Sequence, residues 1–201
     1  MQKITPKTSM KYLKKMGITT LSKEDENLAL ALGGLDKWIS PLQMAAAYAA
    51  IANDGVYITP TFYTKVTDAS GTVVLTPTQE KTRVISEQNA YLVKSILKEP
   101  VNYGTATYCR INGIDVAAKT GTTNEDKERW MCGFTNYYSC AVLYAFDEPR
   151  TITKSSKQSS GLIFANIMKE IHSGLEKSTF KQPDGIVSAR VCRTSGMLAS
   201  D

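Results

Sequence analysis

Apolar positions along the chain fall at helical spacing in some stretches and alternate in others. Tyr12, Leu13 and Met16 share one face of a short helix over Thr8 to Met16, which Gly17 stops. Leu28, Leu30 and Leu32 alternate with alanine up to Gly33 and Gly34, and that period of two predicts a short strand or extended segment. The clearest local signal is Ser40-Pro41-Leu42-Gln43. Ser40 can cap the first free amides, Pro41 takes the first helical position where no donor is required, and Gln43 can reach back to close a capping box. The helix that follows, through Met44 to Ala52, is apolar all round and stops at Asn53-Asp54-Gly55, which predicts an element enclosed by the rest of the domain.

Val56 to Val66 and Thr72 to Leu75 are rich in Thr, Val and Tyr and are joined by Asp68-Ala69-Ser70-Gly71, the pattern of a hairpin. Pro60 keeps its early part from being a central strand. Ser86 is an N-cap for a helix that carries Leu92, Val93, Ile96 and Leu97 on one face and runs to Pro100. Gly113 to Thr123 and Trp130 to Phe146, the latter broken near Asn136, supply three strands in sequence. Leu162, Ala165, Met168 and Ile171 recur every third residue and define a closing helix that ends at Gly174. The division is therefore a domain over residues 1–174 and an exit segment over 175–201, where Pro183, Gly185 and Gly196 lie.

Composition narrows the class. The chain has 201 residues, 42% hydrophobic and 21% charged, which matches ordinary globular usage at the size of one domain. Its net charge of +5, from 24 basic and 19 acidic residues, is spread along the chain and does not imply nucleic acid. The longest stretch without a strongly polar residue is Met44 to Ala52, far short of the roughly 20 residues a membrane span requires. Met1 to Lys15 is basic but lacks an apolar run of signal-peptide length, so the sequence carries no targeting signal of its own. Cys109, Cys132, Cys140, Cys192 and His172 lack zinc-ligand spacing; the expectation is no metal, no cofactor, and buried free thiols. Cys132 and Cys140 would face each other across a turn at Asn136 to Tyr138, an arrangement that adjacent strands rarely bridge well.

Chemistry concentrates in Gly113-Ile-Asp-Val-Ala-Ala-Lys-Thr-Gly-Thr-Thr123, where Lys119, Thr120 and Gly121 interrupt an apolar strand. A cation, a hydroxyl and a residue without a side chain invite a ligand. Lys119 could neutralise a carboxylate, Thr120 and Thr122 could donate to it, and Gly121 would let a flat substrate approach the backbone. On an edge strand, the free backbone groups could pair with an extended peptide, and the Thr122 amide could point at a developing oxyanion. Two other readings compete. A tripeptide alone occurs by chance in surface turns. GIDVAAKT also approaches a phosphate loop, but Ala118 replaces the required glycine and Ile114 to Val116 read as extended chain, so nucleotide binding is a remote reading.

KTGTTNEDKERWMCGFTNYYSCAVLYAFD, preceded by ISPLQMAAAYAAIANDG and VNYGTA, resembles the second half of the transpeptidase domain of penicillin-binding proteins, most of all the bifunctional glycosyltransferase/transpeptidase type. The resemblance runs from about Met1 to about Cys192. It implies an α+β fold of the β-lactamase/transpeptidase kind: an antiparallel sheet with helices on both faces, of which this chain would hold the last three strands. The implied activity is serine-type D-Ala-D-Ala transpeptidation, which cross-links peptidoglycan outside the cytoplasmic membrane and which β-lactams inhibit. Carried over by position, Lys119 would help bind the stem peptide's terminal carboxylate and tune the serine cluster. Thr120, Thr122 and Thr123 would line the substrate site, Gly121 would leave room for the acyl group, and the Thr122 amide would form half of the oxyanion hole. Trp130 would be packing.

The family builds its site from S-x-x-K, S-x-N and K-T-G. No S-x-N occurs here, and the two S-x-x-K matches are badly placed. Ser95 to Lys98 lies late in a helix close before the KTG strand. Ser178 to Lys181 follows the closing helix and runs into Gln182-Pro183-Asp184-Gly185, which breaks any helix that would set its lysine one turn from its serine. The expectation is a ligand wall without its nucleophile, partnered by a missing N-terminal half of the domain, and inactive alone. The alternative is a non-catalytic peptide-binding or interaction module. Without the N-terminal half, the helix from Ser40 to Asn53 would have lost neighbours and would expose an apolar patch.

Overall fold

The computed structural model describes residues 3–152 and 159–198. Helix α1, Pro6–Lys15, begins where the Thr5 hydroxyl accepts from the Thr8 amide. Helix α2, Pro41–Ala52, forms the full capping box: Gln43 N–H donates to the Ser40 hydroxyl oxygen and Ser40 N–H donates to Gln43 Oε1. Three small antiparallel sheets follow in pieces. Strands β1 (Val56–Ile58) and β4 (Lys81–Arg83) pair, β2 (Val66–Thr67) and β3 (Val73–Leu75) pair, and helix α3 (Glu87–Asn102) leads into the main sheet. That sheet is β5 (Ala117–Thr122), β6 (Glu128–Phe134) and β7 (Ser139–Ala145), in the order β5-β6-β7 and antiparallel throughout. Helix α4, Ser159–Ile171, closes the order of elements.

The main sheet separates two apolar cores, as the alternation of side chains across a strand requires. On one face Ala118, Met131, Cys140 and Val142 meet Phe164, Ala165 and Met168 of α4. On the other, Ala117 and Phe134 meet Tyr48, Ile51 and Ala52 of α2, with Phe180 from the segment after α4 completing the cluster. The fold is thus α+β, with helices on both faces of an antiparallel sheet. Phe180 reaches its place because residues 178–180 run along residues 113–115, just before β5. The Ser178 amide donates to Gly113 O, the Asp115 amide to Ser178 O, and the Phe180 amide to Asp115 Oδ2.

Several elements differ from the pattern-based expectation, each for a local reason. Leu28 to Leu32 form a 3₁₀ helix, not an extended segment: Asn27 Oδ1 accepts from the Ala29 amide, and Gly33 ends the turn in the left-handed region. The expected hairpin forms only at Val66–Thr67 with Val73–Leu75; past Pro60 the chain leaves the pairing, and Val56–Ile58 pairs with Lys81–Arg83. Helix α3 turns Ala90, Lys94 and Val101 inward and leaves Leu92 and Ile96 exposed, and it continues through Pro100. Burial of Lys94 is compensated by the Asp54 carboxylate at 2.5 Å and by the Phe180 ring face. Helix α4 buries Gly161, Phe164, Ala165 and Met168, with His172 buried just past its end, and leaves Leu162 and Ile171 exposed. In the all-apolar α2, Ala46, Ala47 and Ala50 are buried and no residue from Met44 to Ala52 is exposed, while Pro41 and Leu42 at its start are. The strand expected from Gly113 begins at Ala117.

The thiols are unpaired: Cys109 and Cys132 are buried, Cys140 half-buried and Cys192 exposed. In the β6–β7 register Cys132 lies opposite Ala141, and Cys140 opposite Gly133, so the two sulfurs are offset by one residue and their side chains leave opposite faces. His172 is held by its own helix and a turn: Nδ1–H donates to Met168 O, and Nε2 accepts from the Thr135 hydroxyl. Among the described residues no cluster of His, Cys, Asp or Glu could hold a metal, and no helix is long and apolar enough to cross a membrane.

Candidate functional site

Strand β5 pairs with β6 on one side only. Its first two residues are wholly buried, Lys119, Thr122 and Thr123 are exposed, and Thr120 and Gly121 are half-buried. Two hydrogen bonds fix which backbone groups face the open side. The Thr123 amide donates to Glu128 O, so Thr123 and its odd-numbered neighbours in register turn their backbone groups toward β6. Thr120 and Thr122 turn theirs outward, and the Lys119 ammonium takes up the outward Thr120 carbonyl at 2.8 Å. The Thr122 N–H therefore faces the free edge.

Side chains alternate independently. Thr120 and Thr122 lie on the α4 side with Met131 and Arg129 opposite them, while Lys119 and Gly121 lie on the α2 side opposite Cys132 and Trp130. The Thr120 hydroxyl shares a hydrogen bond with the Thr105 hydroxyl at 3.2 Å, which ties the strand to the loop after α3. Thr122 Oγ1 accepts from Arg129 Nη1 at 3.2 Å. Thr123 Oγ1 accepts from the Glu128 amide and so closes the hairpin end. At Gly121 an added Cβ would stand 3.1 Å from the Trp130 Cβ, so the missing side chain also admits the tryptophan, whose indole N–H donates to Glu128 Oε2.

The serines of the two S-x-x-K matches stand elsewhere. Ser95 donates back to Tyr91 O within α3, and Lys98 is engaged by the Asp115 carboxylate at 2.7 Å. Ser178 Oγ accepts from Asn136 Nδ2 at 2.7 Å, and residues 178–181 are not helical, so Lys181 is not set one turn above it. A groove of about 750 Å³ lies beside Ser178, between the start of α3 and residues 177–184, and does not include Lys119 to Thr123. Sequence reading missed Thr105 and Arg129. Arg129 could be found only by folding the hairpin on paper, since its partnership with Thr122 is a matter of strand register.

Residues 1–169 match the family model described as the penicillin-binding protein transpeptidase domain. The chain is 36% identical over 198 residues to penicillin-binding protein 1A of Clostridium botulinum, covering 98% of this chain and 24% of that protein. It is 36% identical over 154 residues to penicillin-binding protein 1F of Bacillus subtilis, covering 74% of this chain and 21% of that protein. Among solved structures, penicillin-binding protein 1A of Haemophilus influenzae superposes with a TM-score of 0.82 at 23% identity, over 100% of this chain and 36% of that one. PonA1 of Mycobacterium tuberculosis in complex with penicillin V gives 0.76 at 27% identity, over 90% and 54%. The chain thus spans about a quarter of the length of the curated relatives it matches.

Proposed function

We infer that this chain, which belongs to the penicillin-binding protein transpeptidase family, supplies the substrate-holding edge of a D-Ala-D-Ala transpeptidase that cross-links peptidoglycan outside the cytoplasmic membrane. The reading rests on one arrangement: a strand edge open from Lys119 onward, with the Thr122 N–H directed out and two hydroxyls, Thr120 and Thr122, on one side of it. An extended stem peptide can lie along that edge as an added strand. Lys119 is the cation for its terminal carboxylate, and the threonine hydroxyls are donors to the same group. The Thr122 amide supports the oxyanion that forms when a serine attacks the penultimate carbonyl. In that step the serine oxygen bonds to the carbonyl carbon and its proton passes to a base. Collapse of the tetrahedral species then expels the terminal D-alanine. A β-lactam enters the same site and leaves its acyl group on the serine.

That serine belongs to S-x-x-K on another part of the domain, because neither match in this chain has the lysine placed to take its proton. A labelled penicillin is therefore expected to leave no covalent adduct on the 201-residue chain alone. It is expected to acylate a mixture of this chain with the N-terminal half of a transpeptidase domain carrying S-x-x-K and S-x-N. An adduct mapped to Ser178 on the isolated chain would overturn the assignment. Specific magnesium-ATP binding that Lys119→Ala abolishes would replace it with a nucleotide site. The second reading, a non-catalytic module that holds stem peptides without acylating them, is favoured by the lack of S-x-N in this chain, and failure of the mixture to acylate while still binding peptide would select it.

A further inference from the structure

Arg129 stands beside this edge, ion-paired with Asp126 and hydrogen-bonded to Thr122. It lies directly opposite Thr122 in a cross-strand pair, so the two side chains share a face, and its own side chain is only 11% exposed. Its Nη1 donates to Thr122 Oγ1. The Nε and Nη2 groups complete no hydrogen bond among the described residues. Asp126 Oδ1 is 2.9 Å from Nη2, an ion pair in distance, but the N–H is not aimed along it. Buried donors on a charged group are costly to leave unmatched, and where they persist they ask for a reason. The loop that brings Asp126 there is itself strained: Glu125 and Asp126, neither of them glycine, stand at φ 61° and 56°.

The chemistry of the Arg129–Thr122 bond is one-directional. A guanidinium has donors and no acceptor, so it occupies a lone pair of the Thr122 hydroxyl and cannot take its proton. The Thr122 O–H is thereby left to donate to a group other than Arg129. We propose that Arg129 is a positioning residue for the C-terminal carboxylate of the peptide substrate: by holding a lone pair of the Thr122 hydroxyl it fixes Thr122 as a hydrogen-bond donor to that carboxylate. This rests on the stem-peptide reading above and goes beyond it, because it assigns preference for a free C-terminal carboxylate to a residue outside the K-T-G motif. Lys119 lies on the other side of the strand, where its ammonium donates to Thr120 O.

The test is a titration of the isotopically labelled 201-residue chain with N-acetyl-D-Ala-D-Ala and with the same dipeptide as its C-terminal amide, followed by nuclear magnetic resonance at Thr122. The parent chain is expected to prefer the acid. Arg129→Met should reduce that preference roughly tenfold, the scale of one charge-assisted hydrogen bond. Arg129→Lys should keep part of it, since an ammonium can also donate to Oγ1. Thr122→Val should lose a similar amount, with Arg129→Met adding nothing further on that background, as expected for two groups acting as one unit. Asp126→Asn breaks the ion pair without touching Thr122 and should leave the preference in place. Equal weakening of acid and amide by Arg129→Met would overturn the proposal, as would loss of the preference in Asp126→Asn. Binding of neither ligand by the parent chain would instead overturn the stem-peptide reading.

Discussion

The two halves of strand β5 differ in burial, although six consecutive residues form both. Ala117 and Ala118 are wholly buried, each in a different core, while Lys119 to Thr122 run out from under α3 to an edge reached by solvent. Small side chains fill the first half because helices press on both faces. The second half carries a cation and two hydroxyls because its polar groups stay exposed or find partners: Thr120 meets the Thr105 hydroxyl and Thr122 meets Arg129. A site of this kind is stiff by attachment: its backbone continues a buried ladder, so the Thr122 amide holds its direction without help from a loop.

The largest expected effect comes from loosening the buried half. Phe180 sits beside Ala117 and Phe134, its ring 5.7 Å from that of Phe134. Phe180→Ala should cost about 3–5 kcal/mol, read as the shift in a urea unfolding midpoint, and should expose the 178–182 segment to proteolysis. A loss below about 1 kcal/mol would show that this segment is not part of the cooperative unit. Next is Gly133→Ala. An added Cβ would meet the Ala118 Cβ at 2.6 Å, Ala117 O at 2.7 Å and Phe164 at 2.9 Å, so the substitution should destabilise by about 1–3 kcal/mol.

The open half should behave in the opposite way. Lys119→Ala is expected to change stability by less than about 0.5 kcal/mol, as at other exposed positions, while abolishing the acid-over-amide preference in the peptide titration. A large stability loss from Lys119→Ala would mean that the exposed half is structural and would erase the contrast.

A gentler probe is pH. Burial pushes the Cys109 and Cys132 thiols up from 9.0 to about 12, and the Tyr48 phenol up from 10.0 to about 12. Groups whose folded value is raised bind their protons more tightly when folded. Their contribution is whole below the unfolded value and fades as pH climbs from about 9 toward 12. The thermal midpoint should therefore fall across that window. Cys192, by contrast, is exposed, and hydrogen bonds from Ser195, assisted by the Thr194 amide, lower its thiol to about 7. It should be alkylated at neutral pH well before the two buried thiols, which mass mapping of iodoacetamide adducts would read directly.

Much of the fold was legible from local signals. The capping box at Ser40 and Gln43 is local chemistry and formed as spelled, as did the N-cap at Ser86 and the three strands around Lys119. Helix faces were less legible. Leu92, Ile96 and Leu162 look like core residues by hydropathy, yet the neighbours that α3 and α4 meet lie at other angles. Lys94 is buried, against its type, because Asp54 lies 40 positions earlier in sequence and beside it in space. In the candidate site, Lys119, Thr120, Gly121 and Thr122 were visible as an odd composition within an apolar strand. Thr105 and Arg129 were not, because loop and register bring them in.

The sequence by itself determined where the capped helices α2 and α3 begin, which strand carries the cation and hydroxyls, and which family the chain resembles, because caps and motifs act within a few residues. Tertiary structure decided which half of β5 is covered, which helix faces turn inward, and that Arg129 stands against Thr122. Those are outcomes of packing and register, and a hydrogen bond or a buried surface between distant residues exists only once the chain has closed the loop that joins them.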